Sequence, residues 1–232
     1  MELTTRIKET KLLEYQESIV NRIIKIANYV FRNEIKLKFA GFLLYGPPGN
    51  GKTEIAKQAA KRIKDANPAK ILLVDGSDIA SPRWGDAEEK LKKIFLGEAN
   101  GEKRIIIFDD IESTLMSRDV EIAKEWHFSI NSVVFHFLDD INHSDTIVIA
   151  TTNKKEMVDP ALISRLYPIS VNLLSKPQLK QFLLDLLKDE DYGIDTFEIE
   201  KTIASKIEAG TVMSLRDIEH EILLEVVDKI GE

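Results

Sequence analysis

The chain has 232 residues, 44% of them hydrophobic, and a net charge of −7. That length supports one large core, or a core with a small satellite. The acidic balance leaves no whole-chain electrostatic case for nucleic acid, although a local basic patch would still suffice. With no cysteines, disulfides, thiolate metal sites and thiol nucleophiles are excluded.

The first residues, MELTTRIKETKLLEYQ, hold no continuous apolar run of the signal-peptide kind. No stretch approaches the ~18 apolar residues of a membrane span, so a soluble cytoplasmic protein is expected. Within residues 10–39, apolar side chains from Leu12 to Phe31 recur at helical spacing. The run FAGFLLY (39–45) predicts a buried strand, closed by GPPGNG, and TEIAKQAAKRIK (53–64) a helix broken at Asn67-Pro68. ILLVDG (71–76) is a second strand, DAEEKLKKIFLGEA (86–99) an amphipathic helix, and Ile105–Phe108 a third strand. SINSVVFHFLDDI (129–141) is helix-like, TIVIATT (146–152) a fourth strand and YPISV (167–171) a fifth. Three amphipathic helices without a strand follow: 176–190, 195–210 and 214–230. Strands alternating with helices predict a parallel sheet covered on both faces, of α/β class. The expected organisation is an N-terminal helical segment (1–38), a large five-stranded α/β domain (39–172) and a small C-terminal α-helical domain (173–232).

GPPGNGKT (46–53) satisfies G-x-x-x-x-G-K-[ST] between a strand and a helix, the context that makes the motif credible. The candidate nucleotide contacts are Gly46, Pro47, Pro48, Gly49, Asn50, Gly51, Lys52, Thr53 and Glu54. The glycines admit backbone conformations that a Cβ would obstruct, so that amides can point at phosphates beside a helix N-terminus. Lys52 would reach the β- and γ-phosphates and the Thr53 hydroxyl would ligate Mg²⁺. In IIIFDDIE (105–112) an apolar strand ends abruptly on Asp109, Asp110 and Glu112. Carboxylates this close repel unless a cation or a proton separates them. Asp109 fits the acid that holds Mg²⁺ beside a phosphate loop, while a solvated acidic turn is enough to account for Glu112.

These motifs together make the chain resemble the AAA+ ATPases, and within them the classical AAA branch. The resemblance spans roughly residues 39–232. It is carried by LLYGPPGNGKTEIAKQAA, VDGSDIASPRWGDAEEKLKKIF, IIIFDDIESTLMSR, TIVIATTNKKEMVDPALISR and SLRDIE. It implies a P-loop NTPase sheet with a helical lid, ATP and Mg²⁺ as ligands, and a ring of identical subunits, a hexamer first among the options. It also implies roles for single residues. Asn153 matches sensor 1, which orients the attacking water; taken alone, an Asn closing a strand reads as a turn residue. Arg165 matches the arginine finger that reaches a neighbouring subunit's nucleotide, against a plain surface arginine. Arg216 matches sensor 2, against a helix-start arginine paired with Asp217 or Glu219.

The sequence departs from the family twice. Asp110 stands where a Glu usually polarises the attacking water. Its carboxylate is one methylene shorter, about 1.5 Å further back, a misplacement that can cost ~10²-fold. The doubled acid also occurs in relatives that hydrolyse ATP, so turnover is the favoured expectation. SPRWG (81–85) stands where the family has an aromatic–aliphatic–Gly loop that grips polypeptide, which makes Arg83 and Trp84 the candidate substrate contacts; a buried Trp84 is the alternative. The leading expectation is an ATP-driven ring that remodels a protein substrate or works with an adaptor. A slow nucleotide-dependent switch comes second, and a DNA-associated loader last, because KRIK (61–64) and LKKIF (91–95) read as polar helix faces. His127, His136, His143 and His220 lack metal-ligand spacing and are expected to be packing or surface residues.

Overall fold

A computed structural model of the chain describes residues 7–74, 89, 91–95, 102–113, 115, 125–189 and 192–231. Residues 91–95 are helical, within the predicted 86–99 segment. Arg83 and Trp84 lie outside the described residues.

Cα proximity divides the chain into two compact units. The first comprises Met1–Gly46 and Lys52–Ser170; the second comprises Pro47–Gly51 and Val171–Glu232. The first unit is built on a five-stranded parallel sheet in the order β2-β3-β4-β1-β5. Its strands are β1 (Gly41–Tyr45), β2 (Lys70–Val74), β3 (Arg104–Phe108), β4 (Thr146–Thr152) and β5 (Leu166–Ser170). The central strands β3 and β4 are buried along their whole length, as near-continuous apolar runs between helical layers should be. The edge strands β2 and β5 are only partly covered. Pro168, which has no N–H to give a ladder, sits in the edge strand β5. Gly41 opens β1 where a Cβ would come within 1.8 Å of the Val148 carbonyl oxygen, so β1 and β4 approach there only because the side chain is missing.

Helix α1 (Glu14–Phe31) packs against α2 (Lys52–Ala66). Its stripe of Val20, Ile23, Ala27 and Val30 is fully buried, matching the periodicity read from the sequence. At the N-terminus of α1, the Gln16 side chain accepts the Leu13 N–H at 2.9 Å, replacing a missing helical partner. A fork from Arg62 to the Glu17 carboxylate, at 2.6 and 2.8 Å, ties α2 to α1. Helix α3 (Glu125–Asp140) contributes Val134, Phe137 and Leu138 to the core cluster that also holds Ile106, Phe108 and Val148. A short α4 (Pro160–Ile163) leads into β5, its N-terminus capped by the Asp159 carboxylate, which accepts the Ala161 N–H.

In the second unit, α5 (Lys176–Asp189), α6 (Phe197–Ala209) and α7 (Leu215–Gly231) form an all-helical bundle around Leu179, Leu183, Ile199, Ile203, Ile207, Ile218 and Ile222. Gly210 ends α6 with φ +78°, the left-handed stop that suits glycine. Among the described residues no helix is long and apolar enough to cross a membrane.

Candidate nucleotide-binding site

In a parallel sheet every strand ends on the same side, and ligands gather there where the strand order reverses. The chain leaves β1 for the phosphate loop, β3 for Asp109 and Asp110, and β4 for Asn153. Because β3 and β4 are neighbours, residues about forty positions apart meet at one rim.

Lys52 is the first residue of α2 and is 5% exposed; its ammonium donates to the Gly46 carbonyl at 3.0 Å. Thr53, next in the helix, donates its hydroxyl proton to Asp109 Oδ1 at 2.9 Å. An alcohol and a carboxylate oxygen side by side, next to a buried ammonium, form the hard-oxygen and cationic donor set that suits Mg²⁺ and phosphate. These residues therefore fit both ligands. The Glu54 carboxylate accepts from Gln58 Nε2 at 2.7 Å.

Four hydrogen bonds stitch the ends of β3 and β4 together. The Thr151 hydroxyl donates to Asp109 Oδ1 at 2.5 Å and accepts the Asp110 N–H at 3.0 Å. Asn153 Nδ2 donates to Asp110 Oδ1 at 2.9 Å, and the Asn153 N–H donates to Glu112 Oε1 at 3.0 Å. Asp110 adopts φ +48°, a left-handed conformation that Asp and Asn tolerate far better than longer side chains. The departure from Glu at this position is thus matched by the local backbone. The Asp110 carboxyl, although reachable by solvent at the rim, sits above the ordinary aspartate value. Partial desolvation is the main cause, followed by the neighbouring Asp109 and Glu112 charges, while Lys52 and the Asn153 hydrogen bond pull it back.

Glu112 and Thr151 are the site residues that sequence reasoning missed. Glu112 is half-buried, not a freely solvated turn, and braces the Asn153 backbone. The available signal was the doubled Thr-Thr before Asn153, an unusual pair of hydroxyls on a fully buried strand.

Arg165 is held within its own subunit. Its guanidinium forks onto the Asp139 carboxylate at 2.8 and 2.6 Å, donates to the Ala161 carbonyl at 2.8 Å and lies over the Phe135 ring. That pairing holds Asp139 below the ordinary aspartate value.

Within the second unit, Gly49 takes φ +77° and its carbonyl accepts the Arg216 N–H at 3.3 Å. A Cβ on Gly49 would lie 2.5 Å from Ser214 Oγ, so no side chain fits between the loop and the start of α7. Ser214 and Asp217 cap that helix reciprocally: Asp217 N–H donates to Ser214 Oγ at 3.2 Å, and Ser214 N–H to Asp217 Oδ2 at 2.9 Å. Asp217 thus serves the helix terminus, and the Arg216 side chain is exposed.

Comparison with known proteins agrees with the fold. Residues 42–171 match the family described as "ATPase family associated with various cellular activities (AAA)". A cell division cycle protein 48 homolog from Archaeoglobus fulgidus is 36% identical over 123 residues, covering 53% of this chain and 16% of that protein. An "AAA ATPase forming ring-shaped complexes" from Bifidobacterium dentium is 29% identical over 206 residues, covering 83% of this chain and 38% of that protein. The matches thus span well under half of these relatives. A chain in the structure of the E. coli MS115-1 HORMA:CdnC:Trip13 complex shares the fold, with a TM-score of 0.65 at 14% identity, covering 89% of this chain and 87% of that one. With the family match extending over more than half of its length, the chain belongs to the AAA ATPases.

Proposed function

We propose that the protein hydrolyses ATP at the rim formed by β1, β3 and β4, in a ring of identical subunits, and couples turnover to remodelling of a protein partner. The observation that carries the hydrolytic reading is the juxtaposition of Lys52, Thr53 and Asp109 with the Asp110–Asn153 pair. Lys52 and the loop amides would bind the phosphates, and Thr53 and Asp109 would hold Mg²⁺, which supplies charge neutralisation at the phosphates when bound. Asp110 would accept the proton of the attacking water. Asn153, donating to Asp110 Oδ1, leaves the second carboxylate oxygen for that water and limits the rotation of the short side chain. The upward shift of the Asp110 carboxyl, caused mainly by partial desolvation, makes it a stronger base than an ordinary aspartate.

The ring rests on two supports: relatives whose names describe ring-shaped complexes, and Arg165, which lies at the end of α4 away from the acids of its own subunit's site. Arg165 would leave Asp139 and stabilise phosphoryl charge on a neighbour's nucleotide. A protein partner is supported by the resemblance and by the HORMA:CdnC:Trip13 assembly of the structural relative. Arg83 and Trp84 remain the proposed polypeptide contacts, and Arg216 the proposed γ-phosphate contact. The shorter base at Asp110 favours a second reading, a slow ATP-dependent switch that assembles and recruits its partner with little turnover.

Mixing two inactive variants tests the shared site. Asp110→Asn and Arg165→Ala should each abolish steady-state hydrolysis, and the mixture should recover a fraction of it, because an intact base then meets an intact finger across an interface. Hydrolysis that is independent of protein concentration, and unchanged by Arg165→Ala, would overturn the shared site. Wild-type turnover as slow as that of Asp110→Asn would select the switch.

A further inference from the structure

We propose that Thr151 is a positioning residue for the metal-binding carboxylate, an inference that rests on the ATPase reading of the site. Thr151 is fully buried in β4 and contacts both acids at once. A hydroxyl has one proton and two lone pairs. The Asp110 N–H can only donate, so the Thr151 oxygen accepts there and its single proton is committed to Asp109 Oδ1. Both ends of the bond are therefore fixed in direction. Thr53 donates to the same Oδ1 from α2. Two hydroxyls converging on one oxygen lock the carboxylate's rotation and leave Oδ2 as the free ligand oxygen.

The same hydroxyl holds the left-handed backbone at Asp110. That conformation turns the Asp110 side chain to Asn153, and its N–H has Thr151 as the hydrogen-bond partner. A strained backbone persists only where its surroundings over-determine it. One methyl-for-hydroxyl exchange at Thr151 would release Asp109 and leave the Asp110 N–H without that acceptor. Groups that orient metal ligands typically contribute 10–100-fold in metal affinity or activity. The neighbouring Thr152 serves a different end, its hydroxyl accepting the Lys154 N–H at 3.1 Å.

The test compares wild type, Thr151→Val and Thr151→Ser. Val keeps the shape and strand preference of Thr and removes only the hydroxyl; Ser keeps the hydroxyl. The readout is Mn²⁺ binding, followed by electron paramagnetic resonance, in the presence of the non-hydrolysable analogue adenylyl imidodiphosphate. Steady-state kcat and KM are measured alongside. Thr151→Val should weaken Mn²⁺ binding about 10-fold or more and lower kcat with little change in nucleotide KM, and Thr151→Ser should restore both to within a few-fold. Equal Mn²⁺ affinity in wild type and Thr151→Val would overturn the inference while leaving the ATPase reading intact. A wild type that binds no nucleotide with Mn²⁺ would overturn both. Should Thr151→Val not fold, Thr151→Ala makes the same comparison; if neither hydroxyl-free variant folds, the hydroxyl is a folding element and the positioning role is wrong.

Discussion

Gly49 lies at the centre of the phosphate loop, where a single methyl group should have a calculable cost. Its φ of +77° penalises any L side chain by roughly 1–2 kcal/mol. The new Cβ would also sit 2.5 Å from Ser214 Oγ and 2.8 Å from Ser214 Cβ, well inside contact distance. Ser214 must then move, and the hydroxyl that caps α7 loses its bond to the Asp217 N–H, worth about 1 kcal/mol. Gly49→Ala should therefore destabilise the second unit by roughly 2–3 kcal/mol. Ser214→Gly alone should cost only a few tenths of a kcal/mol, because glycine is a tolerable N-cap. In the Ser214→Gly background the collision disappears, so Gly49→Ala should cost only the backbone penalty. The double-mutant cycle then shows a coupling of about 1 kcal/mol. Urea denaturation gives the totals, and hydrogen exchange of the α7 amides reports the helix directly. If the two changes are additive to within ~0.3–0.5 kcal/mol, loop and helix start are not in contact and the reasoning fails.

Two further outcomes follow from side-chain pairs in the first unit. Asp139→Asn removes the partner that forks Arg165; this exposed pair contributes at most about 1 kcal/mol. Folding stability should fall by no more than that, while half-maximal ATPase activity should move to lower protein concentration, by up to about fivefold; an unchanged midpoint would show that the pair does not restrain the finger. Glu17→Gln breaks the fork that fastens α1 to α2, at a partly exposed site where about 0.5–1 kcal/mol is at stake. The Glu17 carboxyl is held below the ordinary glutamate value by Arg62, so its stabilisation is complete above about pH 4.3 and lost as pH falls through the lowered folded value. The wild-type advantage in urea melts should thus be present at pH 7 and shrink on acidification below pH ~4; a gap that persists in acid would assign it to packing instead.

Elements that speak through their own sequence were legible. The strand–GPPGNGKT–helix order, the IIIF-to-DD junction and the apolar stripe of α1 each carry their meaning within a few residues. The rest depends on which strands become neighbours. Thr151 reads as one more β-branched residue until β4 is placed beside β3, when its hydroxyl falls between two carboxylates. Glu112 looked like a turn acid because its partner is a backbone N–H beyond the next helix and strand. Asp139 ends α3 as an ordinary surface charge, and only the return of the chain through α4 brings Arg165 to it. The left-handed Asp110 was equally hidden, since a positive φ leaves no periodicity behind it.

The central claim is that Asp110 serves as the base for ATP hydrolysis, and single-turnover kinetics addresses it without interference from product release. Wild type and Asp110→Asn, each in saturating excess over radiolabelled ATP with Mg²⁺, would be compared, with nucleotide affinity measured in parallel. The account predicts nearly equal affinities and a hydrolysis rate lower by ~10²–10⁴-fold in the variant. Equal single-turnover rates would contradict it, and would leave the acids at the end of β3 as a metal site without a base.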